Sequence, residues 1–253
     1  MNELKVFTFA EDWGLPTTGP FALKLLGWLN LAKIPYHQVF ENRSGKGPSG
    51  KSPWIEFEGQ RMGDSQRIIQ FLGQRHNIDL DQGLTAEQRA QSVLWRRCFE
   101  EGFHQVLEWE LFVHPAGKSF IQKVVAESAP PVISKMVSFN ICRHFEKQLQ
   151  ARGLGRYNPA EVEHIGRADL DALSTLLAGR RFLVDDQPRL VDLAVFGQVA
   201  PMLSWPMKTP VAEYAKTLDR VRTWVDTMRT ACFSESAVLH SSVAPGRESI
   251  AQS

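Results

Sequence analysis

The stretch PSGKSPWIEFEGQRMGDS, residues 48–65, decides the fold of this chain. The run Trp54-Ile55-Glu56-Phe57 predicts a short strand, Glu58-Gly59 predicts a turn, and Gln60-Arg61-Met62 predicts a second strand. After Asp64-Ser65 the apolar residues recur at helical spacing, so a helix is predicted to begin there. The predicted order is therefore strand, turn, strand, helix.

Both ends of this predicted hairpin carry residues that suit a ligand. Pro53 has no N–H and can only begin a strand or lie at its edge, and a strand entrance is one of the few places where a cis peptide bond is found. Asp64-Ser65 lies where the helix begins, and the free N–H groups and the helix dipole there favour a carboxylate. The alternative is a plain helix cap, which Asp and Ser supply routinely.

The residues before this stretch predict two further strands and a helix. Residues 4–9 alternate as a strand does, Pro20 to Ala32 carries apolar residues at helical spacing, and Pro35 to Phe40 reads as a strand. A helix between two strands implies a parallel, right-handed crossover. Residues 1–78 therefore predict a thioredoxin-like domain with the order βαβ-ββα.

Beyond a linker near Asn77 to Gly83, the pattern of residues 85–233 is helical throughout. Helices are predicted from the capping box Thr85-Ala86-Glu87-Gln88 to about Val113, over 132–149, from Asn158, over 190–203 and from Thr209. Residues 234–253 lack periodicity and are predicted to be a mobile tail.

Composition narrows the possible partners and the compartment. The chain has 253 residues, a formal net charge of +1 and 43% hydrophobic residues, so we expect neither nucleic acid nor a membrane as partner. The N-terminus does not resemble a secretion signal. Cys98, Cys142 and Cys232 form no CxxC pair, and their odd number argues against a disulfide framework. These observations predict a cytoplasmic protein whose cysteines are small buried residues.

The motif Pro48-Ser49-Gly50-Lys51-Ser52-Pro53, followed by a hairpin and Asp64-Ser65, resembles glutathione transferases. The segments RHNIDLDQGLTAEQRAQ, GLGRYNPAEVEHIGRADLDAL and PRLVDLAVFGQVA resemble the bacterial branch of that superfamily related to metaxins and failed-axon-connections proteins. The resemblance implies an α+β, two-domain fold: a thioredoxin-like, glutathione-binding domain at 1–78 and an all-α domain at 85–233. It implies glutathione as co-substrate, no metal, and allows a homodimer. Arg189-Leu190-Val191-Asp192 stands where the family has a Ser/Thr-x-x-Asp cap, so the resemblance implies that Asp192 caps the helix over 190–203 although the Ser/Thr is missing.

The resemblance also assigns the glutathione contacts. With Pro53 at a strand entrance within the matching motif, we expect the Ser52–Pro53 peptide bond to be cis. The resemblance implies that Ser52 pairs with the cysteinyl backbone of glutathione. It implies that Asp64 and Ser65 hold the γ-glutamyl end. Lys51 would meet the glycyl carboxylate, although a solvated loop lysine is an equal alternative.

The catalytic position departs from the family pattern. Gly19 stands where related sequences carry Ser or Cys, so Thr18 and Thr17 are the candidate hydroxyls that would stabilise the thiolate. The alternative is that both threonines only cap the helix. Trp13, His104 and Glu108 are candidates for the co-substrate pocket. Glu101, His104 and Glu108 at helical spacing also permit a metal site, which we do not favour.

Three functional hypotheses follow. The chain is a glutathione transferase that conjugates a small hydrophobic electrophile, or a non-catalytic binding or scaffold protein with the same fold. Gly19 favours the scaffold, whereas Asp64-Ser65 favours the enzyme. A cysteine-based redox protein is excluded because the first helix carries no cysteine.

Overall fold

The computed structural model describes residues 3–127, 130–234 and 238–243. Its strands are β1 (Lys5–Thr8), β2 (Tyr36–Phe40), β3 (Trp54–Phe57), β4 (Gln60–Gly63) and β5 (Val238–Val243). Its α-helices are α1 (Pro20–Leu31), α2 (Ser65–His76), α3 (Ala86–Arg97), α4 (His104–Phe112), α5 (Pro115–Ala126), α6 (Pro131–Arg152), α7 (Pro159–Leu176), α8 (Leu190–Ser204), α9 (Pro210–Thr217) and α10 (Asp219–Phe233). The predicted α+β architecture, with a thioredoxin-like part followed by a helical part, is confirmed.

The strands form one mixed sheet in the order β4-β3-β1-β2-β5. Strands β1 and β2 are parallel and flank α1, as predicted, whereas β3 is antiparallel to both β1 and β4. Phe7 of β1 lies opposite Trp54 of β3, and Trp54 lies opposite Gly63 of β4. The carboxyl end of β1, the start of β3 and the end of β4 therefore meet at one end of the sheet.

Helices α1 and α8 join the two parts of the molecule by close packing. A Cβ atom at Gly27 of α1 would lie 2.7 Å from the side chain of Leu193, and one at Gly197 of α8 would collide with the carbonyl oxygen of Pro20. Because protein interiors are close-packed, a side chain at either glycine would push the helices apart. The small residues fix the first turn of α1 against the helical part.

The structure confirms the helix N-termini that capping motifs in the sequence predict. Thr85 with Gln88 and Asn158 with Glu161 form reciprocal capping boxes. Within the helix predicted from Thr85 to about Val113, residues Cys98–Phe103 form a π-helical segment between α3 and α4. The helix predicted from Thr209 is two helices, α9 and α10, because Leu218 has extended dihedral angles, φ −90 and ψ 91.

The tail also differs from its prediction. Val238–Val243 forms β5, which pairs in parallel with β2, where the sequence predicts mobility. Without this segment β2 would be the edge strand of the sheet, to which a further strand can pair, and the β-branched ends of the segment suit a strand. Residues 235–237 and 244–253 of the predicted tail lie outside the described residues.

Candidate functional site

The sheet register brings the predicted site residues together. Because Trp54 lies opposite both Phe7 and Gly63, Ser52-Pro53 before β3 and Asp64-Ser65 after β4 lie at the same end of the hairpin. The loop from β1 to α1, which contains Thr17 and Thr18, leaves the sheet at that end as well. One region therefore holds the candidate peptide, carboxylate and thiolate positions.

Ser52 and Pro53 provide an unpaired stretch of backbone. The Ser52–Pro53 peptide bond is cis, which confirms its prediction. Within the described part of the chain, neither the N–H nor the C=O of Ser52 forms a hydrogen bond, and its buried hydroxyl is also without a partner. An extended peptide can pair with such an edge by strand addition. The neighbouring Lys51 is exposed and makes no ion pair with any described residue.

Asp64 and Ser65 act differently at the start of α2. Asp64 has φ 76, and its carboxylate accepts a hydrogen bond from the Arg67 N–H at 3.0 Å, so it is the helix cap. Ser65 is only 5% exposed, and its hydroxyl has no partner among the described residues. Ser65 is therefore the residue that leaves hydrogen-bonding capacity for a ligand.

The two threonines before α1 also differ. Thr17 is fully buried, and its Oγ1 accepts a hydrogen bond from the Gly19 N–H at 3.3 Å. Thr18 is half-buried, and its hydroxyl has no partner in the described structure. Only Thr18 thus presents an unengaged hydroxyl next to the N-terminus of α1.

Trp13 and His104, two of the candidates for the co-substrate pocket, pack on different aromatic side chains. Trp13 packs against Phe120 of α5, with ring centroids 5.8 Å apart. His104 lies against Phe21 in the first turn of α1, with centroids 4.8 Å apart. Trp13 therefore lies in the loop before α1 and packs on α5, whereas His104 packs on α1.

Glu108 is engaged inside the protein. It is 4% exposed, lies 3.4 Å from Nε2 of His104 and accepts a hydrogen bond from Arg152. Burial raises the pKa of Glu108, but His104 and Arg152 outweigh it, so the net shift of the pKa is downward. This carboxylate stabilises the helical part and does not face an open pocket.

The metal site that the sequence permits does not form among the described residues. Glu101 is exposed and pairs with Arg97 at the surface, although it precedes His104 by only three positions. It lies in the π-helical segment, whose wider turn changes which residues share a face. No group of three His, Cys, Asp or Glu side chains suited to a metal is found in the described ranges.

The cysteines are unsuited to catalysis. Cys98, Cys142 and Cys232 are free thiols. Burial raises the pKa of Cys98 to about 11 and that of Cys232 to about 12. Because the thiolate is the reactive form, neither of these cysteines is an activated nucleophile near neutral pH.

Sequence reasoning missed a charged group beside the start of α2. Lys24 of α1 is 1% exposed, and its Nζ donates to Oε1 of Glu100 at 2.7 Å and to Oε1 of Gln66 at 2.9 Å. Arg96 of α3 donates to the same Gln66 oxygen at 2.9 Å. Burial lowers the pKa of Lys24, and Glu100 opposes that shift. The available signal is a lone lysine within the apolar run ALKLLGWL.

An open depression of the surface lies away from this region. It has a volume of about 530 Å³ and lies beside the end of α6; its lining residues are Gln105, Arg152, Gly153, Leu154, Arg156 and Tyr157. None of these residues follows β1, β3 or β4. The hydrogen-bonding groups at the sheet end, rather than this depression, therefore define the candidate site.

Two family models match the chain. The glutathione S-transferase N-terminal domain matches residues 20–117, and the glutathione S-transferase C-terminal domain matches residues 166–228. Together these matches cover more than half of the chain. It belongs to the glutathione transferase family. The match begins at Pro20, so it does not include Thr17 and Thr18.

This glutathione transferase family member has relatives of several kinds. It is 26% identical to failed axon connections of Drosophila melanogaster, over 91% of this chain and 58% of that protein. It is 24% identical to isoprene-epoxide–glutathione S-transferase of Rhodococcus sp. (strain AD45), over 89% and 98% of the two chains. It is 23% identical to metaxin-3 of Danio rerio, over 92% and 77%. The chain thus spans less than two thirds of the Drosophila protein.

Solved structures show the same glutathione transferase fold. The β-etherase LigF of Sphingobium sp. strain SYK-6 superposes with a TM-score of 0.58 at 17% identity, covering 89% of this chain and 94% of that one. The glutathione transferase URE2P6 of Phanerochaete chrysosporium, in complex with oxidized glutathione, superposes with a TM-score of 0.54 at 14% identity, covering 90% and 91%.

Proposed function

We propose that this protein binds glutathione and transfers it to a small hydrophobic electrophile. The observation that carries the proposal is the pair of unengaged positions at one end of the β3–β4 hairpin, the backbone of Ser52 and the hydroxyl of Ser65. An extended peptide with a free carboxylate matches both. The Rhodococcus relative, named as a glutathione S-transferase, supports the enzymatic reading.

Each residue has a definite task in this proposal. Ser52 pairs with the cysteinyl backbone, Ser65 donates to the γ-glutamyl carboxylate, and Lys51 meets the glycyl carboxylate as a point charge. The cysteinyl thiol then lies by the start of α1, where the Thr18 hydroxyl and the helix dipole favour the thiolate. The thiolate sulfur forms a bond to the electrophilic carbon, which releases a leaving group or opens a strained ring.

Two further expectations belong to the same proposal. We place the protein in the cytoplasm. We also expect a homodimer, because Val93 and Leu94 of α3 expose apolar side chains that a second copy would cover. No metal takes part. None of the described helices is long and apolar enough for a membrane crossing.

Calorimetric titration with glutathione tests the proposal. The wild-type protein is expected to release heat, and Ser65→Ala is expected to bind about tenfold more weakly or worse, since one charge-assisted hydrogen bond contributes about 1.5–3 kcal/mol. Ser119→Ala is the matched control, because Ser119 is exposed on α5. It should bind like the wild type.

A non-catalytic scaffold is the second candidate, and Gly19 is the observation that favours it, since this position offers no side chain to the sulfur. If millimolar glutathione neither releases heat nor raises the melting temperature of the wild-type protein, the scaffold replaces the enzyme as the proposed function.

A further inference from the structure

We infer that Gln66 is a specificity-determining residue whose side-chain NH₂ group donates to the γ-glutamyl carboxylate of glutathione. This inference rests on the proposed function and assigns a contact that neither the motif nor the family match provides. It follows from how the carboxamide of Gln66 is held.

Two cations fix the orientation of that carboxamide. Nζ of Lys24 and Nη1 of Arg96 each lie 2.9 Å from the same atom of Gln66. Lys and Arg are donors with no acceptor atom, so the atom they share must be the amide oxygen. The NH₂ group is therefore directed away from both cations. In the described structure it has no hydrogen-bond acceptor.

One cation beside Gln66 lacks a paired carboxylate. The bonded group of Lys24, Gln66, Arg96 and Glu100 contains two cations and one carboxylate, and the nearby Asp64 carboxylate also acts on Lys24. Arg96 pairs with no carboxylate in the described ranges, and its buried Nε has no partner there. Arg96 therefore places a cation without a paired carboxylate beside the N-terminus of α2, whose dipole also favours an anion.

A second unengaged donor lies next to Gln66. The hydroxyl of Ser65, in a residue 5% exposed, has no partner among the described residues. Ser65 and Gln66 are the first two residues of α2, a helix of 12 residues whose first N–H groups are free of intrahelical bonds. A carboxylate here would accept hydrogen bonds from the Ser65 hydroxyl, from backbone N–H groups and from the Gln66 NH₂.

The competing explanation is that Gln66 only bridges α1, α2 and α3. Gln66→Glu separates the two explanations because it keeps the bonded oxygen and adds a charge that Lys24 and Arg96 attract. A purely structural bridge should tolerate this change, and the melting temperature should be retained or raised. If Gln66 instead donates to the ligand, Gln66→Glu should weaken glutathione binding, because the NH₂ group is replaced by an oxygen that repels the carboxylate of glutathione.

The test compares the wild type, Gln66→Glu, Gln66→Ala and the exposed control Gln70→Ala by calorimetry and thermal unfolding. The probes are glutathione and an analogue whose γ-glutamyl α-carboxylate is a primary amide. We expect Gln66→Glu and Gln66→Ala to lose about tenfold or more in glutathione affinity. Gln70→Ala should match the wild type. The wild type should prefer glutathione to the analogue by a larger factor than Gln66→Ala does.

The outcomes separate the inference from the proposed function. Wild-type affinity for glutathione in Gln66→Ala overturns the inference and leaves the proposed function standing, even if Gln66→Glu fails to fold. An equal preference for glutathione over the analogue in the wild type and Gln66→Ala also overturns it. A wild-type protein that does not bind glutathione overturns the proposed function and the inference together.

Discussion

Thr17 and Thr18 are adjacent in the chain, yet their hydroxyls have different surroundings. Thr17 is fully buried and its hydroxyl accepts the Gly19 N–H, whereas the Thr18 hydroxyl is unengaged in the described structure. The dipole of α1 favours negative charge at the same place. Thr18 is therefore the side chain that we expect to stabilise the glutathione thiolate.

We predict that Thr18→Val lowers kcat/KM for glutathione conjugation by about ten- to a hundredfold, because one donor to a developing anion is typically worth at least that. The KM for glutathione should change little, since the carboxylate contacts remain. Steady-state kinetics with an aryl halide electrophile would measure both constants. Unchanged turnover in Thr18→Val and in Thr17→Val would indicate that backbone N–H groups near Gly19, and not a threonine hydroxyl, stabilise the thiolate.

The sequence reveals the departure at Gly19 but not its physical setting. Gly19 has φ −84, which any residue adopts, so backbone conformation does not require glycine. A Cβ atom there would lie 3.1 Å from the ring of Phe9. The position of that ring is set by the loop, and no local sequence pattern predicts it.

The start of α8 shows how one buried carboxylate holds an element in place. Asp192 is fully buried and accepts hydrogen bonds from the N–H groups of Leu183 and Arg189, at 2.8 and 2.9 Å. The bond from Arg189 caps the helix, as predicted. The bond from Leu183 ties in the preceding loop, which the sequence pattern does not show.

We predict that Asp192→Ala lowers the free energy of unfolding by about 2–5 kcal/mol, because two backbone N–H groups lose their acceptor. Urea unfolding would measure it, with Asp226→Ala on the exposed side of α10 as the control. The control should stay within about 0.5 kcal/mol of the wild type.

The cost of Asp192→Ala should also depend on pH. Burial raises the pKa of Asp192 from 3.8 to about 7, so the folded protein holds this proton more tightly than the unfolded chain. The contribution of Asp192 to the free energy of unfolding is therefore full below about pH 4 and is lost as the pH rises toward 7. The difference between wild type and variant should therefore narrow from pH 4 to 7. A constant difference would contradict the raised pKa.

Elements with local signals are predictable, and elements that depend on distant partners are not. The caps at Thr85 and Asn158 need only a side chain and the next turn, so the sequence reveals them. The π-helical segment at Cys98–Phe103 has no such signal. Strand β5 requires the edge of β2, which is far away in the chain.

For the molecule as a whole, the buried pair of Lys24 and Glu100 joins the thioredoxin-like part to the helical part. Lys24 belongs to α1, and Glu100 belongs to the π-helical segment. The change from alternating to helical periodicity predicts the two parts. It does not predict this contact, because a lysine in a helix is usually solvated.

We predict that Glu100→Gln lowers the free energy of unfolding by about 3 kcal/mol at pH 7, because it leaves Lys24 buried without its counterion. The pKa of Lys24 is already lowered by burial and should fall further in the variant. Over this range the unfolded chain binds the Lys24 proton more tightly than the folded variant does, so the free energy of unfolding of the variant rises with pH. The cost of Glu100→Gln should therefore shrink as the pH rises from 7 toward 10.

Chemical unfolding across this pH range measures that cost. Asp219→Asn is the control, since Asp219 is 85% exposed and its pair with Arg222 should contribute less than about 1 kcal/mol. A cost that is equal at all pH values would show that Lys24 does not carry its charge in the folded protein.

The pairing of β5 with β2 has a consequence for how the protein is made. Residues Tyr36–Phe40 leave the ribosome early, whereas their partner Val238–Val243 is synthesised only after the whole helical part. At about 5–20 residues per second, the nascent sheet keeps a bare edge for roughly 10–40 s. During that interval the edge is open to other nascent chains or to chaperones, and it closes only when Val238–Val243 pairs with β2.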